Sequence, residues 1–283
     1  MNPGEMCNTE LIDLLRSLRG RRVRFFANRG NAGDGVIAAA TYQLFRKHRI
    51  DFEPIEFGAA LDGEVLALGG GGNLVPLYNM IRKTLLAYAN RAEMMILMPH
   101  TIRGHEDLLA GLGDHVHVFC RDAVSYVHVL DHAPKAHVYL GHDVALHLDA
   151  AAIRNSPHVA EWEAVYLQRT GSRHYGPTPV FGRNDPERKV ALPPGTDISS
   201  LYLFGEQPGQ AELSTYCLMR AIENAALVTT DRLHVAILAG LMGKETRLHD
   251  NSYGKNRAVY LHSIRRFLPS VTFVDTAATR SAA

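Results

Sequence analysis

Short apolar runs alternate along the chain with longer stretches in which apolar residues recur three and four apart. The first pattern suits buried strands and the second amphipathic helices. Their alternation argues for βαβ units around parallel sheets. In the first half, strands are predicted at 23–27, 52–57, 64–68, 94–98, 116–120 and 137–140, with helices at 35–47, 74–91, 106–112 and 122–130. From about 149 to 194 the regular pattern gives way to Arg, Asn, Gly and Pro, which reads as a boundary or a functional insertion. Alternation then returns, with strands at 201–204, 227–229 and 246–249 and helices at 211–224, 233–242 and 257–267. The residues after 270 are small and polar and are expected to fray. The pattern therefore predicts two Rossmann-like α/β lobes, 1–148 and 149–283, with a central cleft as the default ligand site.

Composition narrows the function classes. A chain of 283 residues, 46% hydrophobic, can bury the cores of two such lobes. The net charge of +1 comes without a basic run or an acidic tail, so no nucleic-acid partner is expected. Cys7, Cys120 and Cys217 are too scattered for a zinc ribbon or a disulfide framework and fit a reducing compartment. The N-terminal stretch lacks the apolar core of a signal peptide, and 36–44 is too short to span a bilayer. The reading is a soluble, cytoplasmic protein. The 15 histidines are dispersed, with no HExxH. His128 and His132 share a helical face but have no carboxylate at ligand spacing, so no metal is expected.

Chemistry-bearing residues gather where strands end and helices begin. The stretch 28–35, NRGNAGDG, follows the first strand. Its glycines allow a tight turn or close approach to a ligand. Asp34 either caps the new helix or serves as a carboxylate that binds or deprotonates a hydroxyl. It is not GxGxxG, so a dinucleotide site is poorly supported. Gly69, Gly70, Gly71 and Gly72, followed by Asn73, leave the backbone bare after a buried strand. That serves close packing or a sugar ring lying on the backbone, and one glycine alone would meet the packing need. Arg121 ends the fifth strand, where it either pairs with an acid such as Asp122 or clamps a carboxylate or phosphate. The stretch 181–187, FGRNDPE, alone reads as a solvated turn. In 229–234, TTDRLH, Arg232 and His234 fall in a first helical turn, where basic side chains oppose the helix dipole. An anion docking there would resolve that misfit.

With these pieces in order, the chain resembles the polysaccharide pyruvyl transferase family. The stretches that carry the resemblance are NAGDGVIAAATYQLF, LGGGGNL, CRDAVSY, FGRNDPE, TTDRLHVAILAGLMGK and LHDNSYGKN. The resemblance implies a two-lobed fold like that of GT-B glycosyltransferases. It implies transfer of the pyruvyl unit of phosphoenolpyruvate onto two hydroxyls of a sugar, giving a pyruvate ketal and phosphate, in exopolysaccharide biosynthesis. Arg232, Leu233 and His234 then belong to the donor motif, with Arg121, Arg183 and Lys255 as further anion contacts. The acceptor sugar falls to Asn31, Gly33, Asp34, Gly70, Gly71 and Asn73 in the first lobe. His234 is the candidate acid, because an imidazole can hold and release a proton near neutral pH, and Asp34 is the candidate base.

No cofactor is expected, since phosphoenolpyruvate is a co-substrate whose charge the arginines can neutralise. A lipid-linked acceptor would bring the enzyme to the inner face of the membrane as a peripheral partner. Two other readings compete: a GT-B glycosyltransferase using a sugar nucleotide, and a non-catalytic sugar-binding subunit.

Overall fold

The computed structural model describes residues 8–61 and 63–275. Cys7, the first residues of the N-terminal stretch and residues 276–283 of the tail lie outside that range. The chain divides into two compact units: residues 1–28 with 40–148, and residues 29–39 with 149–283. The segment 29–39, which the sequence reading leaves in the first lobe, thus clusters with the second unit.

The first unit is a seven-stranded, all-parallel sheet. Helix α1 (Thr9–Ser17), which the sequence reading does not include, precedes β1 (Arg22–Phe26). Then come α2 (Ala32–His48), β2 (Asp51–Pro54), β3 (Val65–Leu68), β4 (Gly71–Leu74), α3 (Met80–Tyr88) and β5 (Met94–Ile102). The unit closes with α4 (Glu106–Ala110), β6 (Val116–Cys120), α5 (Ala123–His132), β7 (His137–Leu140) and a 3₁₀ turn at Val144–His147. Strand order is β2-β1-β3-β5-β6-β7, with β4 also paired to β5. Strands β3 and β5 are apolar almost throughout because helices cover both faces of a parallel sheet.

Two predicted boundaries shift here. Strand β5 runs four residues beyond the predicted end, past Pro99, and its register against β6 breaks between Leu97 and His100. That irregularity accommodates a residue with no N–H to donate. The glycine run does not pass directly into a helix. Gly71 pairs with His100 and Leu74 with Ile102, and α3 starts only at Met80.

The second unit carries a four-stranded parallel sheet in the order β11-β10-β9-β8. Its elements are α6 (Ala150–Arg154), α7 (Val159–Thr170), β8 (Val180–Phe181), α8 (Ile198–Leu201), α9 (Gln210–Ile222), β9 (Leu227–Thr230), α10 (Leu233–Leu241), β10 (Glu245–His249), α11 (Lys255–Val259), a π-helical turn at Tyr260–Ile264, α12 (Arg265–Phe267) and β11 (Val271–Val274). Three expectations are corrected. Residues 149–170, read as irregular, are largely helical, with Asp149 capping α6 through Ala152 N at 2.9 Å. The predicted strand at 201–204 is absent; its apolar character comes from Tyr202, which fills the core and bonds Thr170 Oγ1 at 2.7 Å. The start of the expected fraying tail is β11, which pairs with β10.

Each unit is thus an open parallel sheet with helices, the Rossmann-like and GT-B-like α/β class expected from the sequence. No helix among the described residues is long and apolar enough to cross a membrane.

Candidate functional site

In open parallel sheets, ligands collect beyond the carboxyl ends of the strands. In the second unit those ends carry 182–188 after β8, 231–234 after β9 and 250–256 after β10. Thr230 ties the first two loops together. Its hydroxyl donates to Phe181 O at 2.6 Å and accepts from Arg232 N at 2.9 Å. Asp231 Oδ1 accepts from Arg183 N at 2.9 Å. Asn256 Nδ2 joins the third loop by donating to Asp231 O at 2.7 Å and His249 O at 2.8 Å.

This frame holds a dense, buried set of charges. Arg232, 4% exposed, forks onto Asp197, Nε at 3.1 Å and Nη2 at 2.5 Å, and its Nη1 lies 2.7 Å from Asp185. Arg183, equally buried, donates to Glu187 at 2.6 Å and has its Nε 3.0 Å from Asp185. Asp185 therefore lies across two guanidiniums. Lys255 Nζ and Asn251 Nδ2 both donate to Glu187 Oε2, at 2.7 and 3.0 Å. Burial works to raise the Asp197 pKa, but the Arg232 fork outweighs it and holds the carboxyl below its ordinary value. Burial raises Asp231 instead, and its Oδ2 has no hydrogen-bond partner among the described residues. Asp231, Arg183, Asn184, Arg188, Leu192 and Gly195 help line a cavity of about 250 Å³.

His234 stands in the first turn of α10, with Arg232 as the N-cap residue. Against it lies the start of α2. A Cβ on Gly33 would fall 2.6 Å from His234 Nδ1, and one on Gly35 3.1 Å from Ser214 Cβ of α9. The glycines of NAGDG thus allow α2 to close on α10 and α9, which is why 29–39 belongs to the second unit. Asp34 Oδ2 accepts from Asn31 N at 2.8 Å while Asn31 Oδ1 accepts from Gly33 N at 2.8 Å. This is a reciprocal capping box, so the capping role considered for Asp34 is real.

A second carboxylate stands beside Asp34. Glu206 accepts from Gly30 N at 3.1 Å, and a Cβ on Gly30 would fall 2.0 Å from Asp34 Oδ2, so the two acids flank one glycine. Burial, and then the Asp34 charge, push the Glu206 pKa up. The sequence reading missed Glu206 because it sits in an irregular turn. The only signal was FGEQPG, an acid among turn residues. Asp185, Glu187 and Asp197 were missed as site members for the same reason.

The remaining predicted residues lie in the first unit. Arg121 is fully buried, donating to Asp143 at 2.6 Å and Thr101 Oγ1 at 2.9 Å. Its partner is thus Asp143 rather than Asp122, which instead caps α5 through Ser125 N. Asn73 exchanges hydrogen bonds with Asn28 at 3.0 and 2.7 Å and contacts His100 Nε2 at 3.1 Å. Asn28 also reaches Gly70 O at 3.4 Å. A Cβ on Gly69 would fall 2.6 Å from Asn28 N, and one on Gly71 2.3 Å from Asn28 Nδ2. Close packing thus accounts for two glycines of the run. The structure brings Arg183, Arg232, Leu233, His234, Lys255, Asn31, Gly33 and Asp34 into the second unit. Arg121, Gly70, Gly71 and Asn73 stay in the first, so the residues assigned to the acceptor are divided between the units.

The family model for polysaccharide pyruvyl transferases matches residues 31–253. Over 287 residues the chain is 25% identical to "Putative pyruvyl transferase EpsO" of Bacillus subtilis strain 168, covering 89% of this chain and 87% of that protein. The crystal structure of KP1_0663, an uncharacterized protein from Klebsiella pneumoniae subsp. pneumoniae NTUH-K2044, is similar with a TM-score of 0.75 and 32% identity, covering 94% of this chain and 98% of that one. The matched span takes in the α2 capping box, the glycine run, the first two strand-end loops of the second unit and the start of the third, and the chain belongs to the polysaccharide pyruvyl transferase family, transferases of polysaccharide biosynthesis.

Proposed function

We propose that the protein transfers the pyruvyl unit of phosphoenolpyruvate onto two hydroxyls of one sugar, forming a cyclic ketal and releasing phosphate. The observation that carries the reading is Asp185 lying across Arg183 and Arg232 beside the cavity. One carboxylate spanning two guanidiniums is the arrangement that a donor with a carboxylate and a phosphate would use. The exposed Arg188 lines the same cavity, and Lys255 stands at the same strand ends, paired with Glu187.

The chemistry moves two protons. One hydroxyl adds to the enol carbon while the methylene carbon takes a proton. The second hydroxyl then displaces phosphate, and its proton leaves with the phosphate or a base. His234 is assigned as the acid for the methylene. The two carboxylates beside the α2 start divide by environment. Burial and the neighbouring Asp34 charge raise the Glu206 pKa, and Asp34 is assigned as the base. Asn31 and Gly33 stay assigned to the acceptor; Gly70, Gly71, Asn73 and the sealed Arg121 belong to the first unit.

The test is incubation with phosphoenolpyruvate and a panel of galactosides, glucosides and mannosides. Phosphate release that requires the sugar, with pyruvate mass gained on the sugar, supports the reading. Turnover of a sugar nucleotide in its place would make the protein a glycosyltransferase, and sugar binding without any turnover would make it a binding subunit. In this scheme His234→Gln keeps a hydrogen-bond donor but cannot relay a proton. It should bind phosphoenolpyruvate nearly as well and lose about 100-fold or more in turnover.

A further inference from the structure

The pair His128 and His132 lacks a carboxylate in sequence, but the first unit supplies one. Glu106 opens α4, and one ligand atom from each of Glu106, His128 and His132 lies within 4.8 Å of the other two. The two imidazoles sit one helical turn apart on α5 with ring centroids 4.7 Å apart, and His128 Nε2 is 3.9 Å from Glu106 Oε1. Both rings are oriented by backbone carbonyls. His128 Nε2 lies 2.9 Å from Gly104 O, and His132 Nδ1 lies 2.8 Å from His128 O. A carbonyl only accepts, so His128 Nε2 and His132 Nδ1 are the donors there; His132 keeps Nε2 for an ion, while His128, whose Nε2 is the nitrogen nearest Glu106, would ligate through it by releasing the Gly104 carbonyl. For His132, a ring anchored through Nδ1 on a carbonyl with Nε2 left over is the usual second-shell arrangement of a metal-ligating histidine. The nearby cation Arg82 is held by Asp107 at 3.0 and 2.6 Å, which neutralises its charge next to the cluster.

We propose that Glu106, His128 and His132 form a binding site for a divalent transition-metal ion of the zinc class. Two imidazoles and a carboxylate are a zinc donor set that leaves a fourth position for water. Ligand atoms around tetrahedral zinc lie about 3.4 Å apart, given bonds of about 2.1 Å. Closing from the present spacing takes about an ångström. Glu106, whose side chain is 56% exposed, can supply its share of that movement by a change of rotamer. The bound ion would clip α4 to α5 in the first unit. Glu106, His128 and His132 belong to the first unit, whereas Arg183, Arg232 and Lys255 belong to the second.

The test is calorimetric titration of the tag-free, chelator-treated full chain with zinc chloride, with magnesium chloride as the control. Wild type, Glu106→Gln and His132→Ala are compared. His132 bonds only a carbonyl of its own helix, and urea unfolding without metal checks that both variants fold as wild type does. The expected result is one zinc per chain, no magnesium binding, and affinity weakened more than about tenfold in each variant, since even outer-shell partners matter on that scale. Zinc should also raise the melting temperature of wild type and not that of His132→Ala. Absence of zinc binding, or zinc binding that survives both substitutions, would overturn the proposal.

Discussion

Arg232→Ala removes a guanidinium that two carboxylates surround. Asp197 suffers most, because its side chain is 6% exposed against 30% for Asp185. Breaking a buried pair by deleting one partner costs about 3–5 kcal/mol. Asp197 keeps three donors, Ser200 Oγ at 3.0 Å, Asn184 N at 3.2 Å and Ser200 N at 3.4 Å, so the lower end, about 3 kcal/mol, is expected. For a unit of this size that corresponds to a drop of roughly 6–12 °C in melting temperature. The loss should depend on pH. The folded pKa of Asp197 is held below its ordinary 3.8, so the pair stabilises above that value and the contribution is lost as pH falls through the folded pKa. Without Arg232 the buried carboxylate prefers its proton, so the difference between wild type and variant should close only as the pH falls through the folded pKa of Asp197, below 3.8. Urea unfolding of both proteins at pH 7.5 and in the acid range measures this. Equal midpoints at pH 7.5, or a difference that does not narrow in acid, would refute the sealed-pair argument. Only with that stability loss measured can weaker phosphoenolpyruvate binding by Arg232→Ala, read at a temperature where it stays folded, be assigned to the donor site.

Other substitutions test separate parts of the argument. Asp143→Ala should cost the first unit about 3–5 kcal/mol in urea unfolding, because it strands the fully buried Arg121 charge; a cost under about 1 kcal/mol would mean that water or another acid reaches the guanidinium. Glu206→Gln should raise stability at neutral pH. The folded pKa of Glu206 lies above its ordinary 4.5, so ionisation opposes folding once the pH passes 4.5, and the benefit should vanish in more acid solution. Gly33→Ala places a methyl 2.6 Å from His234 Nδ1 and 2.9 Å from Asn31 Oδ1. It should displace the imidazole, visible as a shifted ring resonance in NMR, and lower turnover by roughly 100-fold, the scale of an ångström's misplacement. An unmoved resonance with full turnover would show that His234 does not depend on that packing.

Periodicity and strand-end chemistry were legible in the residues themselves. The apolar runs at β3, β5 and β6 announced a parallel sheet because such strands are covered on both faces. Arg232 and His234 were visible as site candidates because a basic first turn contradicts the helix dipole unless something anionic is near. Six ordered motifs were enough to recognise the family. What the sequence could not carry was partnership at long range. Asp185, Asp197 and Glu206 read as ordinary turn acids, and only folding brings Asp197 to Arg232, 35 residues away, and Glu206 to Gly30, 176 residues away. Arg121 had an acid next door in Asp122, yet folding paired it with Asp143. The glycines of 30–35 and 69–72 looked alike, since a bare backbone serves a ligand or a neighbouring chain segment equally well. The tertiary structure decided, setting Gly33 against His234 and Gly71 against Asn28, because only the folded chain shows which atoms a Cβ would meet.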